Sequence, residues 1–198
     1  MSLSQRNECR VQGTMPELYF CSDLKGYGWC FRKGNYLNIG LGREDNHRLS
    51  EQLKKFCGFL KRRGRIPQDI PESFHGHAYL LYGHAMRKQI DDGMLLIGDA
   101  AGLAYPQSGE GIRPAVESGL MAAATILSTH GDYCRQQLLP YTARLIARFG
   151  AEAASYSNGP APVRNFLARI LLRNKWFSRH IVLDRWFLHT NVATLQIT

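Results

Sequence analysis

Between residues 26 and 42 the chain reads GYGWCFRKGNYLNIGLG, and its apolar positions alternate strictly. Tyr27, Trp29 and Phe31 alternate with Gly28, Cys30 and Arg32; beyond Lys33-Gly34-Asn35, Leu37, Ile39 and Leu41 alternate with Asn38, Gly40 and Gly42. A period of two on both sides of a Gly-Asn turn predicts a β-hairpin with one aromatic and one small-residue face. The run ELYFCSDL at 17–24 predicts a short strand before it. At 49–64, LSEQLKKFCGFLKRRG changes period. Leu53, Phe56, Cys57 and Leu60 form the stripe of an amphipathic helix, with Ser50 as its expected N-cap and Gly64 as its stop.

The pattern then predicts a strand over GHAYLLYGHAM at 76–86 and a turn at RKQIDDG. MLLIGDA at 94–100 reads as a short, continuously apolar strand buried on both faces. From Ile112 the spacing is helical again: Ile112, Ala115, Val116, Gly119, Leu120, Ala123 and Ile126 fall on one side, and Pro114 is tolerable only in a first turn. Past residue 132 the tail is helical in places and broken by SNGPAP at 157–162. Its later part, VRNFLARILLRNKWFSRHIVLDRWFLH, is basic and apolar by turns. That pattern suits a helical pair closing over the domain, and it also suits a segment lying on a membrane surface. The expected class is α/β or α+β with a mixed sheet. Its regions are a sheet region with one helix at 1–90, a strand–loop–helix at 91–130 and a helical region at 131–198.

Composition narrows the function. The 198 residues are 44% hydrophobic and 21% charged, an ordinary globular balance. No apolar run approaches the ~20 residues that cross a bilayer, and MSLSQRNECR lacks the apolar core of a signal peptide. Five cysteines, an odd number without a CxxC, argue against a disulfide framework or zinc knuckle and for reduced thiols in the cytoplasm. Net charge is +9, yet residues 91–130 carry five acidic side chains and one basic. A basic chain can meet nucleic acid, an anionic membrane or an acidic partner. The basic cluster at 61–65 suits the negative end of the 49–64 helix and has no interleaved aromatic platform, so a nucleic-acid partner is not expected. His75 and His77 share a strand face and His84 does not; without a nearby carboxylate pair they read as surface histidines, and no metal is expected. No G-x-S-x-G or other activated nucleophile stands out.

The acidic segment carries the chemistry. LLIGDAAGLAYPQSGEGIRPAVESG, 95–119, ends a strand on Gly98-Asp99, passes through small residues and enters a helix at Gly109-Glu110-Gly111. A strand ending this way puts Asp99 at the carboxyl edge of a sheet, where α/β folds bind ligands. Gly98 and Gly102 let the backbone approach a bulky partner. The helix start then directs amide N–H groups and a partial positive charge to the same place, suiting a phosphate or an electron-rich carbonyl. Asp99, an acceptor, suits a ligand hydroxyl. The alternative is a tight turn in which Asp99 caps the helix.

GDAAGLAYPQSGEGIRPAVESG resembles the second flavin-binding motif of the aromatic-hydroxylase-like FAD-dependent superfamily. Within it the 26–42 hairpin and the tail LDRWFLH resemble the geranylgeranyl reductase group. The resemblance runs from about 17 to 190. It implies FAD, with NADPH or another reduced donor. It further implies that Asp99 meets a ribityl hydroxyl, that Gly98, Ala100, Gly102 and Pro106 shape the loop, and that Gly109, Glu110, Gly111 and Ile112 form the helix start beside the pyrimidine edge. Tyr27, Trp29 and Phe31 would line the cavity of a hydrophobic isoprenoid substrate whose carbon–carbon double bond takes a hydride. Peripheral membrane contact agrees with such a substrate. The sequence departs from the group's pattern at Arg32, where a proline is usual, and it has no G-x-G-x-x-G for the ADP half. The chain is thus expected to be the C-terminal part of such a flavoprotein. Two other functions fit the same residues: a flavin monooxygenase or dehydrogenase acting on a small molecule, and a non-catalytic membrane- or protein-binding module.

Overall fold

A computed structural model describes residues 17–34, 36–45, 48–70, 74–83, 88–106, 108–150 and 170–196. The chain divides into two compact units, 1–77 and 78–198, so residues 78–90 belong with the second.

In the first unit, β1 (Glu17–Phe20), β2 (Gly26–Lys33) and β3 (Tyr36–Arg43) form an antiparallel meander in that order, followed by α1 (Leu49–Arg62). The register pairs Gly28 with Leu41 and Cys30 with Ile39, while Trp29 opposes Gly40 and Tyr27 opposes Gly42. Alternation therefore gives the hairpin two faces, with the β2 aromatics on one; the other is not the small-residue face expected, because it carries Ile39 and Leu41 beside Gly28 and Cys30. Cys30, Ile39 and Leu41 point to one face and pack with Leu53, Cys57 and Leu60 of α1 in a buried cluster. Gly28 permits this contact, because a Cβ there would lie 2.6 Å from the Phe56 ring. The rings of Tyr27, Trp29 and Phe31 occupy the opposite face.

Helix α1 spans the expected stretch, and Gly64 ends it with a φ of +63°. Its N-cap is Arg48 in the left-handed region rather than Ser50, and no side chain caps it. Glu51 in the first turn and Lys61 and Arg62 in the last complement the helix dipole.

The second unit holds a two-stranded hairpin, β4 (Ile90–Asp91) with β5 (Met94–Leu95), a 3₁₀ turn at Gly98–Ala101, and the helices α2 (Ile112–Ser128) and α3 (Arg135–Phe149). A turn at Lys175–Phe177 runs into a π-helical stretch, Ser178–Phe187. Leu103, Met121, Ala122, Leu138, Tyr141 and Leu145 are the centre of its core.

The α/β class is thus borne out, with corrections. Both sheets are antiparallel, and the one parallel pairing among the described residues is an isolated bridge, Leu81 to Ala104. The strand expected over 76–86 is reduced to that bridge in its described part; 84–86 lies outside the described residues, as does 157–162. The strand expected over 94–100 stops at Leu95. Met94 and Ile97 are exposed, because a two-residue strand at a hairpin edge has no second layer to cover it. On α2, Ile112, Val116, Leu120 and Ile126 are exposed; the buried side holds Pro114, Glu117, Ser118, Met121, Ala122 and Thr125. Small and polar residues face inward there because α3 and the 3₁₀ turn come close.

Candidate functional site

The turn between β5 and α2 is built by close approach of backbone to backbone. Gly98, with φ +53°, is buried and donates its N–H to Ser118 Oγ at 3.0 Å; a Cβ at Gly98 would sit 2.9 Å from that of Ala115. Gly102 closes the 3₁₀ turn in the left-handed region and donates to the Asp99 carbonyl. These contacts bring the turn against the first turns of α2. Asp99, half-buried, then lies beside the helix start, since a Cβ at Gly111 would be 2.8 Å from Asp99 Oδ1. Ala100 is exposed and Pro106 half-buried; Gln107 lies outside the described residues.

The helix start is closed by its own sequence. Gly109, with φ +65°, donates to the Tyr105 carbonyl at 2.7 Å, and its carbonyl accepts from the Tyr79 hydroxyl at 2.8 Å. Glu110 N–H bonds Ser108 Oγ at 3.2 Å. The Glu110 carboxylate folds forward, so that Oε1 accepts from the N–H groups of Ile112 at 2.6 Å and Arg113 at 3.0 Å. The amides that the sequence expects to face a ligand are thus met by an anionic oxygen of the chain itself. Gly111 is the N-cap residue, and its N–H takes part in none of these bonds. Burial first, and then the charges of Asp99 and Glu110, push the Tyr79 phenol above its ordinary value, so Tyr79 faces the same acidic spot.

Behind this turn lies a buried charge network that was not anticipated from the sequence. Glu117, 6% exposed, accepts from Arg148 Nε at 2.7 Å and Nη2 at 2.5 Å, and from Arg113 Nε at 2.9 Å. The guanidinium groups pass the linkage on. Arg113 donates to the carbonyls of His189, Val192 and Ala193, and Arg148 to that of Ala193. Burial pushes the Glu117 carboxyl up, but Arg148 and Arg113 outweigh it and hold the group below the usual range. His189, 8% exposed and with φ +48°, stacks on Tyr105 at 3.8 Å between centroids. Only the Arg-x-x-x-Glu spacing at 113–117 was a local signal for any of this.

Tyr27, Trp29 and Phe31 lie in the first unit, on the β2 face opposite α1. Tyr27 and Trp29 rings are 6.0 Å apart, and Trp29 Nε1 donates to Asn38 Oδ1 at 2.8 Å. Gly40 and Gly42 across the hairpin leave room for the rings. His75 and His77 are exposed, and His84 lies outside the described residues. Among the described residues no group of His, Cys, Asp or Glu side chains is arranged for a metal ion, and no helix is long and apolar enough to cross a membrane.

No family model matches the chain. It is 33% identical over 135 residues to the digeranylgeranylglycerophospholipid reductase of Methanocaldococcus jannaschii, covering 66% of this chain and 34% of that protein. To the chloroplastic geranylgeranyl diphosphate reductase of Oryza sativa it is 28% identical over 135 residues, covering 67% and 28%. A solved structure from Thermoplasma acidophilum, described as geranylgeranyl bacteriochlorophyll reductase-like, superposes with a TM-score of 0.56 at 26% identity, over 83% of this chain and 41% of that one. The chain spans about a third of the length of the curated relatives it matches. These likenesses bear out the resemblance read from the glycine-rich segment and the hairpin.

Proposed function

The chain is a relative of the geranylgeranyl reductases, and from that premise we propose that it contributes the flavin-side motif of a FAD-dependent reductase acting on an isoprenoid. The observation that carries the reading is the cradle at 98–113. Two helix amides converge on one oxygen, an acceptor carboxylate lies beside Gly111, and the loop between them runs through glycines. An electron-rich oxygen fits there, since Glu110 Oε1 already occupies the position.

Bound reduced flavin would supply a hydride to one alkene carbon, the second carbon taking a proton for which we assign no residue. The chain's own residues bind and orient. Asp99 accepts from a ribityl hydroxyl. Gly98, Ala100, Gly102 and Pro106 shape the loop, and the start of α2 at Gly109–Ile112 stabilises charge gained at the pyrimidine edge. We assign contact with the hydrophobic substrate to Tyr27, Trp29 and Phe31. NADPH or another reduced donor, a cytoplasmic setting and peripheral contact with a membrane belong to the same reading. Exposed Leu171, Trp176 and Leu188 among Arg173, Lys175 and Arg185 support the last.

The test is flavin content. The purified protein and Asp99→Ala are compared by visible absorbance after incubation with FAD. Weaker retention by the variant is expected, and equal retention removes Asp99 from the site.

A further inference from the structure

Among the described residues, two side-chain polar atoms are wholly buried with no hydrogen-bond partner, Glu110 Oε2 and His189 Nε2. Both belong to one polar cluster. Arg113 connects them, since its N–H is capped by Glu110 Oε1 while its Nη1 donates to the His189 carbonyl at 3.0 Å. The charged and titratable groups around the imidazole are Tyr105 stacked on it, Glu110 from the loop, and Arg113 and Glu117 from α2, with Arg148 of α3 behind Glu117. Burial pushes His189 below its ordinary value, and the Glu110 carboxylate is the strongest influence drawing it back up. A buried acceptor-only oxygen and a buried imidazole nitrogen are each costly alone, and each supplies what the other lacks.

The Glu110 backbone is held independently of its carboxylate. Its N–H is held by Ser108 Oγ and its carbonyl accepts from Tyr105 N at 2.9 Å, so the backbone is pinned at both groups while the side chain alone covers the helix start. We infer that Glu110 competes with the bound ligand for the Ile112 and Arg113 amides, and that His189 Nε2 is the alternative partner onto which its carboxylate turns when a ligand oxygen takes them. The inference rests on the flavin reading above. It gives Glu110 the part of an internal competitor that sets affinity, and His189 that of a positioning residue.

The full chain is titrated with FAD by fluorescence quenching, beside Glu110→Ala, Glu110→Gln, His189→Ala and the Glu110→Ala/His189→Ala double variant. Circular dichroism checks each fold. Glu110→Ala is expected to bind FAD about fivefold or more tightly than the parent, a cap's worth of competition. Glu110→Gln should fall between, and it carries the test should the alanine variant not fold. His189→Ala should weaken binding several-fold in the parent background and leave it unchanged in the Glu110→Ala background. Measurable binding that Glu110→Ala leaves equal or weaker overturns the competition and leaves the flavin reading intact. An equal effect of His189→Ala in both backgrounds overturns the pairing. No FAD bound by any variant overturns this inference; the flavin reading falls with it only if riboflavin, which lacks the ADP half that this chain has no motif for, also fails to bind.

Discussion

Replacing Glu117 tests whether the charge network, rather than apolar packing, holds 189–193 in place. The carboxylate is buried on α2 and receives three N–H donors from two arginines, whose remaining donors reach the carbonyls of His189, Val192 and Ala193. Glu117→Ala removes the only carboxylate bonded to Arg148 among the described residues, and the Arg148 side chain is 14% exposed. Breaking a buried pair from one side costs about 3–5 kcal/mol when the orphaned charge stays dry. Here Arg113 is 27% exposed and regains water, and both arginines keep their carbonyl acceptors. The expected loss is therefore reduced to about 2–4 kcal/mol, read from urea unfolding near neutral pH. Amide exchange at 189–193 should accelerate in step. The pH dependence follows from the same geometry: a carboxyl held below its unfolded value contributes its stability above that value and loses it as pH falls through the folded value. The parent should thus destabilise more steeply on acidification than Glu117→Gln. A loss under about 1 kcal/mol, with exchange at 189–193 unchanged, would refute the argument.

Two further outcomes come from single contacts. Gly98→Ala should cost about 1–3 kcal/mol, because φ is +53° and the new methyl would meet Ala115 Cβ at 2.9 Å; adding Ala115→Gly should recover only the steric share, as measured by thermal unfolding. Tyr141, held up to about 12 by burial, and Tyr19, held up to about 12 by burial and its bond to Glu17, should ionise late in a spectrophotometric titration. Their contribution to stability is present below about pH 10 and lost as pH climbs toward 12, and Tyr141→Phe, which removes the bond to the Leu96 carbonyl, should flatten that loss.

How much of this was legible depended on whether the cause was local. The hairpin and α1 could be read because alternation and a 3.6-residue stripe each bury one face on a neighbour, and Leu53, Cys57 and Leu60 do so. Ser50 failed as a cap because Arg48 takes a left-handed conformation that begins the helix two residues earlier. The apolar run 94–97 looked like a central strand because periodicity cannot tell a strand covered on both faces from a hairpin edge. At the site, Gly98, Gly102 and Gly109 were recognisable, and all three take positive φ. Glu110 was placed in the right turn, but its own carboxylate closing the amides depends on side-chain rotation that spacing does not encode. His189, nearly eighty residues from its neighbours at 110–113, left no local trace at all.

That separation in sequence also bears on how the molecule is made. The first unit has its strands and α1 in hand within its first 77 residues, so its core can begin to pack while the rest is still being synthesised. The second cannot finish early. Glu117 leaves the ribosome 31 residues ahead of Arg148, and both it and Arg113 emerge more than seventy residues ahead of the carbonyls those arginines clasp. In that interval a carboxylate destined for a dry interior stays wet, and the nascent helices around it remain open to chaperones and to one another.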